Sequence, residues 1–513
     1  MLAPAWMDGA PHAFGSVLIA NRGEVACRIA RACRELGLST VAIHTSEDGS
    51  APLLDLCDQR FLLEGEGLSQ TYLSIEAILA AAELTGAQAI HPGFGFLAES
   101  AGFAEAVEQR GLVWIGPSPN AIRVMGDKMT ARRAMRAAGI SLVPGSEVSS
   151  TDPAVIHSEV MAAAGEMGFP VLLKATAGGG GKGMRVVERP ADLAAAIQSA
   201  TREAQAAFGD GRIYVERLLS GCRHVEIQIL ADGHGNIVHL GERECSLQRR
   251  HQKVIEECPS PVLGNRLRMR MGAAAITAAA AVTYMGAGTV EFLLEDDEFH
   301  FLEMNTRLQV EHPVTEMVTG VDIVHQQLRI AAGLPLDFTQ ADVSMRGHSI
   351  EARIYAEDPG AGFLPAAGPL LMMRMPSGPG IRVDTGVAEG GEVSTSFDPM
   401  IAKLIVHASD RPTAIRRMRT ALRETVMLGL RTNIEFLAAL LEDEDVAEGH
   451  TTTDLIESKW PGGWTPPDDE RTTALAVIAC AAARSPKRTG DLLGGGSAES
   501  QPDPFTTLSG RYP

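Results

Sequence analysis

The sequence predicts a soluble enzyme of mixed α/β and α+β class with about three domains. Strand and helix patterns alternate over the first 120 residues, and a glycine run near residue 180 lies between two strand-like segments. After residue 220, strands follow one another through short turns. The length of 513 residues agrees with this division, since a domain contains roughly 150 residues.

The first domain begins with a βαβ unit. The residues read as a strand, a glycine-containing turn, an amphipathic helix and a second strand in SVLIANRGEVACRIARACRELGLSTVAIHT. The alternation continues in AQAIHPGFGF, FAEAVEQRG and LVWIGPS. We therefore expect an N-terminal extension over 1–15 and an α/β domain over 16–131.

A small lid is predicted over about 145–218, around the glycine-rich segment VLLKATAGGGGKGMRVV. Its five glycines, at 178–181 and 183, allow backbone amides to close around a phosphate because no Cβ obstructs them. The segment is not a Walker A loop, since the pattern G-x-x-x-x-G-K-[ST] is missing: Lys182 is followed by Gly183 and Met184, with no Ser or Thr. A flexible linker is the alternative, but the strand-like flanks favour a hairpin that covers nucleotide phosphates.

Two lysines accompany the glycine run. Lys174 lies inside an otherwise apolar strand, where a charge needs a partner, so it either extends to solvent or clamps a nucleotide. Lys128, in MGDKMTA, is weaker evidence by itself because exposed lysines are common.

The next block is predicted to be an antiparallel sheet backed by an alanine-rich helix at about 267–282. In its hairpin GTVEFLLEDDEFHFLEMN, a three-residue loop over 296–298 would place Glu291 directly opposite Glu303. Like charges at opposite positions destabilise a sheet, and a divalent cation between them removes the conflict. Oxygen ligands beside phosphates suit Mg2+, with Asn305 as a further donor. A four-residue loop would instead put the two carboxylates on opposite faces.

The segment EMNTRLQVEHPVTEM, residues 303–317, has strand periodicity. Its polar face consists of Glu303, Asn305, Arg307, Gln309 and Glu311, and the residues between them are mostly apolar. Such a face is either the wet side of a half-buried strand or a row of functional groups.

Two further polar patterns leave alternatives open. ERECSLQRRHQKVIEE concentrates the cations Arg243, Arg249, Arg250, His251 and Lys253, which suits a solvated loop or the binding of an anion such as bicarbonate. In HVEIQIL, one strand face carries His224, Glu226 and Gln228. These three are either adenosine contacts or a row of satisfied hydrogen bonds.

After Ile350 the pattern shows strands and the helix TAIRRMRTALRETVM, which predicts a domain over 351–460. The segment 461–513 reads as a linker and a flexible tail, apart from one short helix in TTALAVIACAAARS.

Composition limits the function classes. A formal charge of -19 disfavours nonspecific nucleic-acid binding, and 45% hydrophobic with 21% charged residues is ordinary for a globular enzyme. The seven cysteines include no C-x-x-C pair, so neither a disulfide framework nor a zinc site is indicated. Without a bilayer-length apolar run or a signal-peptide pattern, we expect a cytoplasmic protein with no membrane partner.

Taken together, the ordered motifs resemble biotin carboxylase over about 16–460. These motifs are NRGE, HPGFGF, MGDK, KATAGGGGKGMRVV, HVEIQILADG, QRRHQKVIEE, GAGTVEF and EMNTRLQVEHPVTEM. The resemblance implies an ATP-grasp fold, with a pre-ATP-grasp N-terminal domain, an ATP-grasp domain over 132–350 that includes the mobile lid, and a C-terminal domain. It also implies carboxylation of biotin on a carrier protein with ATP and bicarbonate, through carboxyphosphate.

The resemblance assigns roles to residues at matching positions. It implies ATP binding by Lys128, Lys174, Gly179, Gly180, Gly181, Glu216, His224, Gln248, His251, Glu291 and Glu303. Mg2+ or Mn2+ would be held by Glu291, Glu303 and Asn305, and bicarbonate by Lys253, Arg307, Gln309 and the backbone of Val310. Glu311 would be the general base, and Arg353 would stabilise the biotin anion unless it forms an ordinary ion pair.

Within the family, TVEFLL, EARIYAEDPGAGFLPAAG and FDPMIAKLIV look most like acyl-CoA carboxylase α subunits of the methylcrotonyl-CoA or propionyl-CoA type. No A-M-K-M biotinylation motif occurs, so we expect biotin on a separate carrier protein or domain. A carboxyltransferase partner and a homodimer are implied as well. ERLL at 216–219 departs from the usual Glu-Lys-Tyr-Leu, where adenine contacts are expected to be mainly backbone. The competing hypotheses are another ATP-grasp ligase and a noncatalytic ATP-binding subunit.

Overall fold

The computed structural model describes residues 2–146, 150, 152–176 and 184–467. Residues Met1–Thr465 form one compact unit, and the fold below is that of this unit. Among the residues that the structure describes, no helix is both long and apolar enough to cross a bilayer.

The N-terminal part is a five-stranded parallel sheet with helices on its faces, as the βαβ pattern predicts. The strands are β1 (Ser16–Ile19), β2 (Ser39–His44), β3 (Gln59–Leu62), β4 (Ala89–His91) and β5 (Val113–Trp114), in the order β3-β2-β1-β4-β5. The helices are α1 (Gly23–Glu35), α2 (Leu53–Leu56), α3 (Ile75–Thr85), α4 (Ala101–Gln109) and α5 (Pro119–Gly126). Two apolar clusters cover the two faces of the sheet, which explains why its strands read as continuous hydrophobic runs.

The region predicted as a lid contains a small antiparallel sheet packed against helices. Its strands are β6 (Val171–Ala175), β7 (Arg185–Val187) and β8 (Ile213–Arg217), in the order β7-β6-β8. The helices of this region are α7 (Pro153–Met167) and α8 (Pro190–Phe208), and α6 (Lys128–Ala137) precedes it in the chain. The pairing of β6 with β7 confirms the predicted hairpin, while the glycine run itself, with Gly179, Gly180 and Gly181, lies outside the described residues.

An eight-stranded sheet, in which every neighbouring pair is antiparallel, carries the rest of the unit. In spatial order the strands are β13 (Glu298–Asn305), β12 (Gly286–Glu295), β9 (Arg223–Ala231), β10 (Ile237–Arg249), β11 (Gln252–Cys258), β14 (His348–Tyr355), β21 (Met400–Ala408) and β19 (Ile381–Thr385). The helices are α9 (Asn265–Ala281), which is the predicted alanine-rich helix, α10 (His312–Thr319), α11 (Ile323–Ala331) and α12 (Arg411–Glu424). Because β14 crosses position 350, the domain division proposed there stays a prediction.

Short elements complete the C-terminal part. They are β15 (Glu357–Asp358), β16 (Leu364–Pro365), β17 (Gly368–Pro369), β18 (Met372–Arg374), β20 (Glu392–Val393), β22 (Val426–Leu428), α13 (Ile434–Leu440), α14 (Glu444–Glu448) and α15 (Leu455–Lys459). Helix α12 packs over strands β14 and β21, and this contact closes the apolar core at that end of the sheet.

Candidate active site

The β12–β13 hairpin places Glu291 opposite Glu303, as predicted, but by a different route. From the turn inward, the pairs are Glu295 with Glu298, Phe292 with Phe301 and Glu291 with Glu303. The turn therefore has two residues, Asp296 and Asp297, and the predicted three-residue loop is wrong. A β-bulge at Leu302 supplies the extra residue that brings the two carboxylates back into register.

The strand that begins this polar segment ends at Asn305, so the prediction of one continuous strand to Glu311 is wrong. Residues 306–311 are irregular, and helix α10 begins at His312 with Glu311 at its N-cap position. Pro313 suits the first helical turn because its missing N–H would have no partner there. The polar side chains reach one site through a loop that folds back, and not through two-residue periodicity.

Lys253 lies at the centre of the site. Its Nζ donates to Glu226 Oε2 at 2.6 Å, to Glu291 Oε1 at 2.9 Å and to Glu311 Oε1 at 2.6 Å. Burial disfavours the ammonium, yet these three carboxylates raise the pKa of Lys253 well above its usual value. Lys253 therefore stays protonated and offers a fixed positive charge.

Glu311 is held between two cations and has no exposed surface. Its second oxygen accepts from an Arg353 guanidinium nitrogen at 2.9 Å, and Arg353 Nε donates to Glu256 Oε1 at 2.5 Å. Burial raises the pKa of Glu311, but the charges of Lys253, Arg353 and Arg243 outweigh it and hold the pKa well below the ordinary carboxyl value. At neutral pH this carboxylate is ionised.

Arg307 is fixed by a residue that sequence reasoning missed. Glu99, from the loop after HPGFGF, accepts from Arg307 Nε at 2.9 Å. The guanidinium also donates to Asn305 Oδ1 at 2.9 Å and to Gln309 Oε1 at 3.1 Å, while Gln309 Nε2 donates to Glu291 Oε1 at 3.1 Å. These bonds bring the predicted anion-binding residues beside Lys253.

The row on β9 is mainly a set of satisfied hydrogen bonds. Arg243, wholly buried, donates from Nε to Glu226 and from the guanidinium ends to Gln228 Oε1 at 2.8 Å. The adenosine interpretation is therefore not needed for Glu226 and Gln228. His224 differs, because its Nε2 lies 2.9 Å from Glu291 Oε2 and thus belongs to the carboxylate cluster.

The cation-rich segment is a hairpin of β10 and β11, and not a solvated loop. Lys253 faces Gln248 across the ladder, and Arg249 binds Glu357 at 2.8 Å. Only the turn residues Arg250 and His251 are exposed, and both adopt positive φ angles of 49° and 65°. Lys253 therefore lies in the site while Arg250 and His251 lie at the surface, a difference that composition alone does not reveal.

The predicted nucleotide residues form a neighbouring group. Lys174 Nζ lies 2.6 Å from Glu216 Oε2, and Arg132 pairs with the same buried carboxylate. Lys128 begins helix α6, where burial lowers its pKa and the charge of Glu303 partly offsets that effect. Glu216 is therefore the charged partner that Lys174 requires inside its apolar strand.

Glu291 and Glu303 fit a divalent cation. Burial and the charge of Glu291 both raise the pKa of Glu303, whereas, despite burial, Lys253 and His224 lower the pKa of Glu291. A cation between the facing carboxylates would therefore relieve the unfavourable charge of Glu303. Asn305 is less favourably placed, because its oxygen accepts from Arg307 and its Nδ2 donates to Glu291 at 2.9 Å. Its role as a metal ligand stays a prediction.

Comparisons with known proteins place these features in one family. Three family models match: biotin carboxylase N-terminal domain over 13–122, carbamoyl-phosphate synthase L chain ATP-binding domain over 127–339, and biotin carboxylase C-terminal domain over 351–458. The biotin carboxylase of Haemophilus influenzae is 49% identical over 86% of this chain and 98% of its own length. The propionyl-CoA carboxylase alpha chain of Ruegeria pomeroyi is 46% identical over 92% of this chain and 72% of its own.

Solved structures agree. The biotin carboxylase domain dimer of Hydrogenobacter thermophilus 2-oxoglutarate carboxylase, determined with MgADP, ADP and bicarbonate, superposes with a TM-score of 0.83. The two sequences are 44% identical, and the match covers 87% of this chain and 97% of the Hydrogenobacter domain.

Proposed function

We infer the reaction of this chain from the premise that it belongs to the biotin carboxylase family, with an ATP-grasp fold. The chain is a ligase that carboxylates biotin at the expense of ATP, with bicarbonate as the carbon source and carboxyphosphate as the intermediate. One observation carries the proposal for its residues: Glu311 is held ionised between Lys253 and Arg353, beside the facing pair of Glu291 and Glu303.

Bicarbonate is proposed to enter beside Glu291 Oε1, which accepts from both Lys253 and Gln309, at the side where Arg307 contacts Gln309. A bound anion would replace one of the three carboxylate contacts of Lys253. Because this ammonium is already buried and charged, binding the anion would not add the cost of removing it from water. Glu311 lies 2.6 Å from the same ammonium, so it would be within reach of the bicarbonate hydroxyl proton.

The low pKa of Glu311 has two consequences. It keeps the carboxylate ionised at neutral pH, the state that a base requires, but it also weakens the driving force for taking a proton. Transfer of the Lys253 contact from Glu311 to bicarbonate would remove the strongest positive influence on this carboxylate. We therefore propose that bound bicarbonate itself makes Glu311 a stronger base.

Glu291 and Glu303 are proposed to hold the Mg2+ or Mn2+ that accompanies ATP. The ion, when bound, neutralises charge on the nucleotide phosphates. Lys128, Lys174 and Glu303 act on one another electrostatically, so the proposed phosphate side adjoins the metal pair. Gly179, Gly180, Gly181, Glu216, Gln248 and His251 stay proposals for the nucleotide.

Glu303→Gln tests the metal assignment. We expect the half-saturating Mg2+ concentration for MgADP binding, measured by calorimetry, to rise at least tenfold, because a charged ligand is lost. Without Mg2+ the variant should melt no lower than the wild type, since burial and Glu291 both oppose the Glu303 charge. Glu295→Gln, at an exposed position of the same hairpin, is the control. An unchanged Mg2+ requirement would contradict the assignment.

Biotin is the substrate here, and we propose that it arrives on a carrier protein or domain and leaves for a carboxyltransferase. The propionyl-CoA carboxylase alpha chain supports an acyl-CoA carboxylase context. A homodimer is proposed from the dimeric Hydrogenobacter domain. A cytoplasmic location stays a prediction from the sequence.

An ATP-cleavage assay with exchanged substrates tests the proposed function. We expect phosphate release to require bicarbonate and to rise severalfold with free biotin. Stimulation by ammonia in place of biotin would favour a carbamoyl-phosphate type of ligase, which one of the matching family models makes relevant. Nucleotide binding without any turnover would support a noncatalytic subunit.

A further inference from the structure

Lys403 lies wholly buried in the middle of strand β21, within the apolar run MIAKLIV. Its Nζ donates to the backbone carbonyl of Val310 at 2.7 Å, 93 residues earlier in the chain. Acidic neighbours balance the charge, with Glu24 Oε2 at 3.1 Å and Asp384 Oδ2 at 3.8 Å. A buried ammonium directed at a main-chain oxygen next to the proposed base calls for an explanation.

The sheet register relates this lysine to the site. Lys403 lies directly opposite Arg353 in the β14–β21 ladder, so both side chains project from the same face. Arg353 binds the side chain of Glu311, while Lys403 binds the carbonyl of Val310. Two neighbouring cations on one sheet face therefore hold two consecutive residues of the loop over 306–311.

The same loop has a second backbone anchor. His312 Nδ1 lies 2.7 Å from the carbonyl oxygen of Gln309, and burial lowers the pKa of this histidine well below its usual value. The neutral ring therefore carries its proton on Nδ1 and donates it. With the Gln309 and Val310 carbonyls both fixed, and with each peptide planar and trans, the N–H groups that follow them point in set directions.

We propose that Lys403 is a positioning residue for the bicarbonate site: by holding the Val310 carbonyl, it orients the Val310–Glu311 peptide and, with it, the anion-binding backbone and the base. The inference rests on the proposed function and deepens it. Lys403 does not touch a proposed substrate group, and its nearest counter-charge, Glu24 Oε2 at 3.1 Å, balances its charge without explaining why the Nζ donates to the Val310 carbonyl.

Three variants separate positioning from stability. Lys403→Met removes the ammonium and keeps an apolar side chain of similar length, Glu24→Gln removes the main counter-charge and keeps the Val310 bond, and the double variant removes both. We expect Lys403→Met to raise the bicarbonate KM about tenfold or more, because small misplacements of reacting groups are costly, with the ATP KM within about twofold of wild type.

The controls give a pattern that a purely structural role does not produce. Glu24→Gln should leave the bicarbonate KM within about twofold of wild type, even where it lowers the Tm. The double variant should regain stability over Lys403→Met, since the Glu24 carboxylate, which lies 3.1 Å from the lost ammonium, is no longer left as a buried charge, and it should keep the raised bicarbonate KM.

The outcomes are distinct. A Lys403→Met enzyme with a wild-type bicarbonate KM would overturn the inference, as would a Glu24→Gln enzyme with an equal rise. If Lys403→Met does not fold, the bicarbonate KM of the double variant tests the inference instead, and a wild-type value would overturn it. A wild-type enzyme without bicarbonate-dependent ATP cleavage would reject the proposed function itself, which is a different result.

Discussion

Replacing Glu311 with glutamine is expected to lower kcat for bicarbonate-dependent ATP cleavage by about three orders of magnitude, while MgADP and ATP bind within about twofold of wild type. A positioned general base contributes roughly a hundred- to ten-thousandfold, and glutamine keeps the shape of the side chain without its basicity. The contacts of Glu311 are with Lys253 and Arg353, and neither belongs to the proposed nucleotide group. Steady-state kinetics together with calorimetry separates the two effects.

The fold of this variant should be retained, because each cation keeps other partners. Lys253 still contacts Glu226 and Glu291, and Arg353 still contacts Glu256. Glu256→Gln is the matched control, since it removes the other carboxylate on Arg353 and leaves residue 311 ionised. We expect it to keep at least about a tenth of the wild-type kcat. Near-normal turnover in Glu311→Gln, or an equal loss in both variants, would reject Glu311 as the base.

The sequence alone predicted the chemistry of the site better than its geometry. The facing of Glu291 and Glu303 was correct, yet it depends on a bulge at Leu302 that no local signal shows. The two-residue alternation corresponds to a strand only as far as Asn305, because polar and apolar residues can also alternate by chance in a loop. The residue types therefore indicate the function, whereas the bulge at Leu302 and the end of the strand at Asn305 are seen only in the structure.

What sequence reasoning missed comes mostly from long-range contacts. Glu99 and Arg307 are separated by 208 positions, and Lys403 and Val310 by 93, so no window of neighbouring residues joins them. The sequence does contain one signal for Lys403, because it is a single lysine within an apolar strand, as Lys174 is. Such a pattern predicts a partner for the ammonium at both positions, since a buried charge requires one.

Arg243 belongs to the cation-rich segment 242–257, but it lies wholly buried and serves as a structural link between elements. It joins three strands and a helix, because its guanidinium reaches Glu226 and Gln228 on β9, Thr289 on β12 at 3.0 Å and Thr315 on α10 at 2.9 Å. Burial opposes the charge, and the carboxylates of Glu226 and Glu311 more than offset that effect, so the pKa of Arg243 is raised.

Arg243→Met is therefore expected to reduce the free energy of unfolding by about 3–5 kcal/mol, the usual effect of removing one partner of a buried ion pair. The loss arises because Glu226 keeps only Lys253 and because the oxygens of Gln228, Thr289 and Thr315 lose a donor. The midpoint of urea unfolding measures this change.

Two further variants define what that loss means. Arg266→Met is the control, because Arg266 and its partner Asp297 are 82% and 69% exposed, and such a pair contributes about 1 kcal/mol or less. Arg243→Lys keeps the charge but loses the planar fork that reaches several acceptors, so we expect it to recover less than half of the loss. Full recovery by lysine would show that charge alone stabilises this position. A loss in Arg243→Met no greater than in Arg266→Met would show that the network adds nothing to stability, and the site would then depend on Arg243 only through its charge on Glu226 and Glu311.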